Sequence, residues 1–209
     1  MDCIDVHGLE NSMTVSIAIA SYNGEAYIGI QLESLLNQDP PPDEVIITDD
    51  GSTDETEAVV AAYAVRYPNT HVRFVCNSER LGVTSNFAHA LTLTTGDLVF
   101  YCDQDDMWCP GRLKKMVDAL KHTSNATMVY ADGLTTDENL NPTGISMVDV
   151  SPLTKLSDYM PEDVTRVSAA IPGCIIGFPA TIVQFVLPFP IGWPHDHATA
   201  YFRYTNVDL

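Results

Sequence analysis

Apolar residues recur along the chain in two alternating rhythms. Val15-Ser-Ile-Ala-Ile-Ala20 is a short run of β-branched and small residues stopped by Ser21-Tyr-Asn-Gly24, which predicts a buried strand feeding a turn. From Glu25 to Gln38 the apolar positions Ile28, Leu32, Leu35 and Leu36 return at helical spacing until Asp39-Pro-Pro-Pro42 ends the pattern. The cycle then repeats, with Glu44 to Thr48 as a second strand, Asp49-Asp-Gly-Ser-Thr53 as a turn and Asp54 to Tyr67 as a second helix. Val72 to Cys76 reads as a third strand, Thr84 to Leu93 as a third helix and Leu98 to Cys102 as a fourth strand. Gly111 to His122 predicts another helix and Met128 to Ala131 a fifth strand.

Beyond that point the rhythm weakens. Asp132 to Met160 is polar and irregular, and a loop of that length in a compact domain is usually functional or mobile. A short strand near Cys174 to Phe178, a helix from Ala180 to Val186 and a Pro-rich approach to His195-Asp196-His197 follow. Strands alternating with helices predict βαβ units, hence an α/β fold with a mainly parallel central sheet flanked by helices. In such sheets ligands bind beyond the carboxyl ends of the strands, so the residues just after each strand are the ones to examine. The 209 residues, 45% of them hydrophobic, suit one domain with a substantial core, which we place over 1–209.

Charge and cysteine content narrow the partners. Lys and Arg total 10 against 28 Asp and Glu, and the formal charge of −18 would repel nucleic acid and anionic lipid headgroups. A soluble acidic surface explains the same imbalance. Cys3, Cys76, Cys102, Cys109 and Cys174 are odd in number and form no CxxC pair or zinc-spaced cluster with His71, His89 or His122. They read as the reduced thiols of a cytoplasmic protein. Residues 1–13 lack a cationic start and an apolar stretch, so no signal peptide is expected. The apolar stretch from Ile171 to Trp193 carries Pro172, Pro179, Pro188 and Pro190, which argues against a transmembrane segment. The sequon Asn125-Ala-Thr127 is read as a chance match.

The strand ends carry the chemistry. Ser21-Tyr22-Asn23, Asp49-Asp50 and Asp103-Gln104-Asp105-Asp106 follow strands one, two and four, and a parallel sheet lines them along one rim. Three carboxylates within four residues repel one another, and a hard cation held by oxygen ligands compensates them. Alone, the pair Asp103 and Asp105 reads equally as a solvated acidic turn. Phosphatases with an Asp-x-Asp carry it after the first strand, not the fourth, and neither GxGxxG nor GxxxxGK[ST] occurs, which disfavours dinucleotide oxidoreductases and P-loop kinases.

Ser16 to Gly24, Asp49-Asp-Gly-Ser-Thr-Asp54 and Asp103-Gln-Asp-Asp-Met-Trp108, in that order, resemble the inverting GT-A glycosyltransferases of family 2, the rhamnosyltransferase-like group in particular. The resemblance spans most of residues 13–120 and returns faintly at 171–197. It implies a GT-A fold with a donor-binding half over about 13–110 and an acceptor and catalytic half over about 111–209. The implied donor is a UDP- or dTDP-linked sugar, the cofactor Mn2+ or Mg2+ and the acceptor a glycan or a lipid-linked sugar. The implied setting is cell-surface polysaccharide synthesis, in the cytoplasm or at the inner face of the membrane.

By the same resemblance, Ala20, Ser21 and Tyr22 would flank the nucleotide base and Asp49 would accept from its N–H, with Asp50 and Gly51 beside the ribose. Arg80 would reach a phosphate or the base. Asp103, beside Gln104, would hold the ribose or sugar, and Asp105 would bind the metal. Gly173 and Cys174 would shape the acceptor side, and Asp196 would be the catalytic base. Structural roles compete at several of these positions: Tyr22 as a cap on the core, Arg80 as a surface charge, Asp54 and Asp196 as helix caps. The group usually has two aromatic residues after the His-Asp pair, where this chain has His197 and Ala198, and its members continue well beyond it. A nucleotide-sugar-binding module without activity and a nucleotide-sugar hydrolase are therefore the competing expectations.

Overall fold

The computed structural model describes residues 13–123, 126–137, 140–147 and 172–205, with side chains to residue 200. Cys3, the stretch 1–12 read for a leader, Asn125 of the sequon and residues 138–139 and 148–160 of the expected loop lie outside them.

Four strands, β1 (Val15–Ser21), β2 (Glu44–Asp49), β3 (His71–Cys76) and β4 (Leu98–Asp103), pair in parallel in the order β3-β2-β1-β4. The connecting helices are α1 (Ile28–Leu36), α2 (Thr56–Arg66) and α3 (Val83–Leu93), and α4 (Arg112–His122) follows β4. Side chains alternate across a strand, and here both faces are buried. Val15, Ile17 and Ile19 of β1, Val45 and Ile47 of β2, and Leu98 and Phe100 of β4 pack with Leu32 and Leu35 of α1, Val60 of α2 and Leu113 and Met116 of α4. The intervening Ala18, Ile46, Val99 and Tyr101 face Phe87, Ala90 and Leu91 of α3 on the other side.

The C-terminal half completes the sheet differently from the first. The chain forms β5 (Val129–Tyr130), then a separate antiparallel hairpin, β6 (Leu134–Thr136) with β7 (Pro142–Ser146), where the sequence predicts an irregular loop. A 3-10 turn at Gly173–Ile175 leads into β8 (Ile176–Pro179), which runs antiparallel between β4 and β5. The single helix expected over Ala180 to Val186 is a 3-10 turn, Ala180–Ile182, followed by α5 (Val183–Val186), and α6 (His195–Thr205) closes the described chain. Among the described residues no helix is long and apolar enough to cross a membrane.

Strand order reverses between β1 and β4, and such a switch point opens a crevice at the carboxyl ends of the strands. The register places Ala20 opposite Asp103 and Ser21 opposite Asp49, so the three acidic or polar strand ends stand in one row.

Candidate active site

Two cavities open on this rim. The smaller, about 250 Å³, is lined by Ala20, Ser21, Tyr22, Asp50, Arg80, Gly82, Val83, Asn86, Phe87, Asp103, Gln104 and Asp105. The larger, about 370 Å³, lies on the side of α4 and the hairpin and includes Asp105, Asp106 and Cys174 in its wall. Asp105 belongs to both.

The first cavity is built from the β1 and β4 ends. Gln104 reaches back across the rim: its Oε1 accepts from the Tyr22 N–H at 3.0 Å and its Nε2 donates to the Tyr22 carbonyl at 3.2 Å. This reciprocal amide pair fixes the turn after β1, and it needs glycine at position 24, where a Cβ would lie 2.4 Å from Gln104 Oε1. Arg80 lays its guanidinium over the Tyr22 ring, 4.0 Å from the centroid, leaving a cationic, planar wall. Asn86 donates to the Thr48 carbonyl at 2.9 Å and the Ser21 carbonyl at 3.3 Å, tying α3 beneath the same floor.

The two consecutive aspartates after β2 part company. Asp49 is 1% exposed and lines neither cavity. Its Oδ2 accepts from Ser21 Oγ at 2.8 Å and Ser52 Oγ at 2.6 Å, and its Oδ1 from the backbone N–H groups of Ser52 at 2.7 Å and Gly51 at 3.1 Å. Gly51, in a left-handed conformation (φ 82°), is exposed and also absent from the cavity wall. Asp50 faces the cavity instead. Burial pushes its carboxyl up, but donation from Leu81 N–H, Asn77 Nδ2 and Gly82 N–H, with the charge of Arg80, holds it below the ordinary carboxylate value.

The acidic cluster lies where the cavities meet. Burial raises the Asp103 carboxyl to about 7, and the charges of Asp106, Asp105 and Asp196 add to the rise. Asp106 is raised by burial as well, and the Cys174 thiol close to both carboxylates offsets part of each rise. Asp103, Asp106 and Cys174 each bring a potential ligand atom within 4.8 Å of the others. Burial pushes the Cys174 thiol far up, so it stays protonated and the donors are carboxylate oxygens, the set that suits a hard divalent cation. No ion pair neutralises Asp103, Asp105 or Asp106 among the described residues. The nearby Arg112 donates to the Cys174 carbonyl at 2.7 Å and lies 4.2 Å over the Trp108 ring. The cluster therefore fits a metal ion both in ligand chemistry and in its uncompensated charge.

Asp196, on α6, lines neither cavity, and its tie to the cluster is the charge it contributes to the rise at Asp103. It lies within the first turn of that helix, so it does not cap a helix beginning at His197; its Oδ1 accepts from the His197 N–H at 2.8 Å. The preceding His195 anchors the helix, with its ring stacked 4.0 Å from Phe87 and edge-on to Tyr101 at 5.0 Å. Tyr101 Oη also bonds Thr199 Oγ1 at 2.9 Å. Burial drives the His195 imidazole down to about 4, so it is neutral, and its Nε2 lies where a Cβ on Gly173 would be 2.4 Å away. Gly173 thus shapes the site by admitting His195 rather than by facing a ligand, whereas Cys174 does face the larger cavity. Sequence reasoning did not single out Asn86, Phe87 or Arg112. Asn86, a polar residue buried on an otherwise apolar helix face, was the one visible signal.

The model of the family described as "Glycosyl transferase family 2" matches residues 16–177. The putative glycosyltransferase EpsE of Bacillus subtilis is 32% identical over 124 residues, 59% of this chain and 44% of that protein. The dTDP-rhamnosyl transferase RfbG of Shigella flexneri is 29% identical over 124 residues, 55% of this chain and 43% of that protein. The matched stretch thus spans less than half the length of these curated relatives. Among solved structures, mannosyltransferase PcManGT from Pyrobaculum calidifontis, in complex with GDP-Man and Mn2+, superposes with a TM-score of 0.67 at 21% identity, covering 92% of this chain and 52% of that one. That likeness establishes the GT-A architecture.

Proposed function

The chain belongs to glycosyl transferase family 2, and from that premise we propose that it moves a sugar from a nucleoside-diphosphate donor in the smaller cavity to an acceptor hydroxyl presented from the larger one. The observation that carries this reading is the shared wall: Asp105 lines both cavities, with Asp103 in the wall of one and Asp106 in the wall of the other, and the charge of Asp196 reaches Asp103. Two reactants held on either side of one carboxylate cluster are placed for direct transfer.

The donor base lies against Tyr22 and Arg80, and Asp50, not Asp49, takes its N–H. Asp49 acts one layer below, holding the turn on which Asp50 is mounted. UDP and dTDP are the donors to test first, because an uracil or thymine offers one N–H to a carboxylate. Asp103 and Asp106, whose carboxylate oxygens lie within 4.8 Å of each other, would hold a divalent cation, and the exposed Asp105, expected from the sequence to be the ligand, stands outside that group; when bound, such an ion would stabilise the negative charge of the departing diphosphate. Asp196 takes the proton from the acceptor hydroxyl, whose oxygen forms the new bond to the anomeric carbon as the bond to the diphosphate breaks. One displacement inverts the anomeric configuration, and no covalent enzyme nucleophile is needed.

Isothermal titration of UDP, dTDP and the free nucleosides with Mn2+, Mg2+ or EDTA tests the donor site. Diphosphate binding strengthened by the metals supports the reading, while equal affinity in EDTA removes the metal from it. Diphosphate release from a nucleotide sugar without any acceptor would favour hydrolysis.

A further inference from the structure

Behind the smaller cavity a chain of polar side chains leads from α3 to the Asp50 carboxylate. Asn86 gives its amide N–H groups to two backbone carbonyls, Thr48 at 2.9 Å and Ser21 at 3.3 Å, so its Oδ1 is left to accept from Asn77. Asn77 Nδ2 donates to that oxygen at 2.9 Å and to Asp50 Oδ1 at 3.0 Å, which uses both of its N–H groups and leaves the Asn77 oxygen as an acceptor. His89 Nδ1 lies 2.7 Å from the Asn77 oxygen and is therefore the protonated nitrogen of the ring. Donation runs one way, from His89 through Asn77 to Asp50. Asn77 is buried, and neither it nor His89 lines either cavity.

At Asp50 the Leu81 N–H also donates to Oδ1, at 2.8 Å, and the Gly82 N–H donates to Oδ2 at 2.7 Å. A carboxylate oxygen accepts about two hydrogen bonds, so Oδ1 is filled and Oδ2 keeps room for one more donor. Of the three donors, two are backbone groups held by the turn into α3, and Asn77 is a side chain that would rotate unless its amide were fixed at both ends. His89 and Asn86 fix it.

We propose that Asn77 and His89 are positioning residues for nucleobase recognition. Both act through Asp50, His89 at two removes, and they hold its carboxylate so that Oδ2 meets the N–H of the base. The inference rests on the donor-site reading above and names residues away from the cavity on which its base contact depends.

The test is isothermal titration of UDP and of N3-methyl-UDP, which lacks the N–H that Asp50 would accept, into the full chain with Mn2+. The wild type should bind UDP about 10-fold more tightly or better, the scale of a hydrogen bond to a charged group. Asn77→Ala and His89→Leu should each weaken UDP binding about 3- to 10-fold and leave N3-methyl-UDP binding unchanged, which a general loss of folding would not do. His89→Asn, whose amide N–H can stand where the Nδ1–H does, should restore wild-type affinity for UDP. UDP affinity undiminished in His89→Leu, a loss shared equally by both ligands, or a His89→Asn variant no better than His89→Leu overturns the proposal. Asp50→Asn separates it from the reading beneath it. If that variant loses the preference for UDP while His89→Leu keeps it, the base contact stands and the positioning role falls; a wild type with no preference for UDP removes both.

Discussion

Replacing Asp103 by asparagine should stabilise the metal-free protein at neutral pH while impairing its function. In the folded chain the Asp103 carboxyl is raised to about 7, against an unperturbed 3.8, by burial and by the charges of Asp106, Asp105 and Asp196. Between those two values the folded state holds a proton that the unfolded state has released. Stability therefore falls as pH rises across that window, and the loss is complete above about 7. The rise from 3.8 to about 7 corresponds to about 4 kcal/mol at most. Relaxation of the rim and release of the neighbouring carboxylates reduce this to roughly 1–3 kcal/mol, or about 2–10 °C in Tm for a domain of this size. An asparagine amide cannot ionise, so the variant escapes the cost. Thermal unfolding in EDTA, scanned from pH 4 to 8.5, should show the variant matching the wild type near pH 4 and exceeding it above pH 7. Mn2+ should raise the wild-type Tm more at pH 8 than at pH 5 and raise that of the variant less. A variant no more stable than wild type at pH 8 in EDTA would refute the uncompensated charge on which the metal assignment rests.

Three further outcomes follow from the same geometry. Asp49→Ala strands the four donors from Ser21, Gly51 and Ser52, so it should cost about 2–4 kcal/mol of stability in urea unfolding, and an unchanged midpoint would contradict its structural role. Gly24→Ala pushes the flexible end of Gln104 out of its pairing with Tyr22 and should weaken nucleoside-diphosphate binding about 10-fold, with little change in Tm; undiminished affinity would show that the clamp is dispensable. Glu44, buried at the opposite end of the sheet, is pushed up by burial but held below 4.5 by donation from Ser16 Oγ and the Thr95 N–H and hydroxyl. Its contribution is present above about pH 4.5 and lost as pH falls through its folded value, so Glu44→Gln should flatten the acid side of the stability profile.

Much of this molecule was legible because its first half obeys simple periodicities. Runs such as Val15 to Ala20 are apolar on both faces, as a doubly covered strand requires, and the prolines and glycines punctuate the helices between them. The rim could be read for the same reason, since a parallel sheet puts every post-strand residue at one edge. What could not be read depended on single-residue register or on distant pairing. Asp49 and Asp50 are chemically alike, but one ends β2 and turns inward to Ser21 while the next meets the cavity, and a boundary uncertain by one residue exchanges them. The Gln104 clamp joins residues 82 apart and leaves no local trace. β8 is four residues long, carries Gly177 and Pro179, and owes its place to pairing with β4 and β5 rather than to propensity. The β6–β7 hairpin is largely exposed, so it lacks the apolar alternation that would have announced it.

The most direct test of the transferase account is turnover by Asp196→Asn. Asp196 lies in the first turn of a helix anchored by His195, its charge reaches Asp103, and asparagine keeps its size and its acceptance from the His197 N–H. Nucleoside-diphosphate release from a nucleotide sugar should be measured with acceptor and Mn2+ present, alongside titration of the diphosphate itself. The account predicts wild-type affinity for the diphosphate with turnover lower by about 10²-fold or more, the usual effect of losing a general base. Turnover equal to wild type would contradict it.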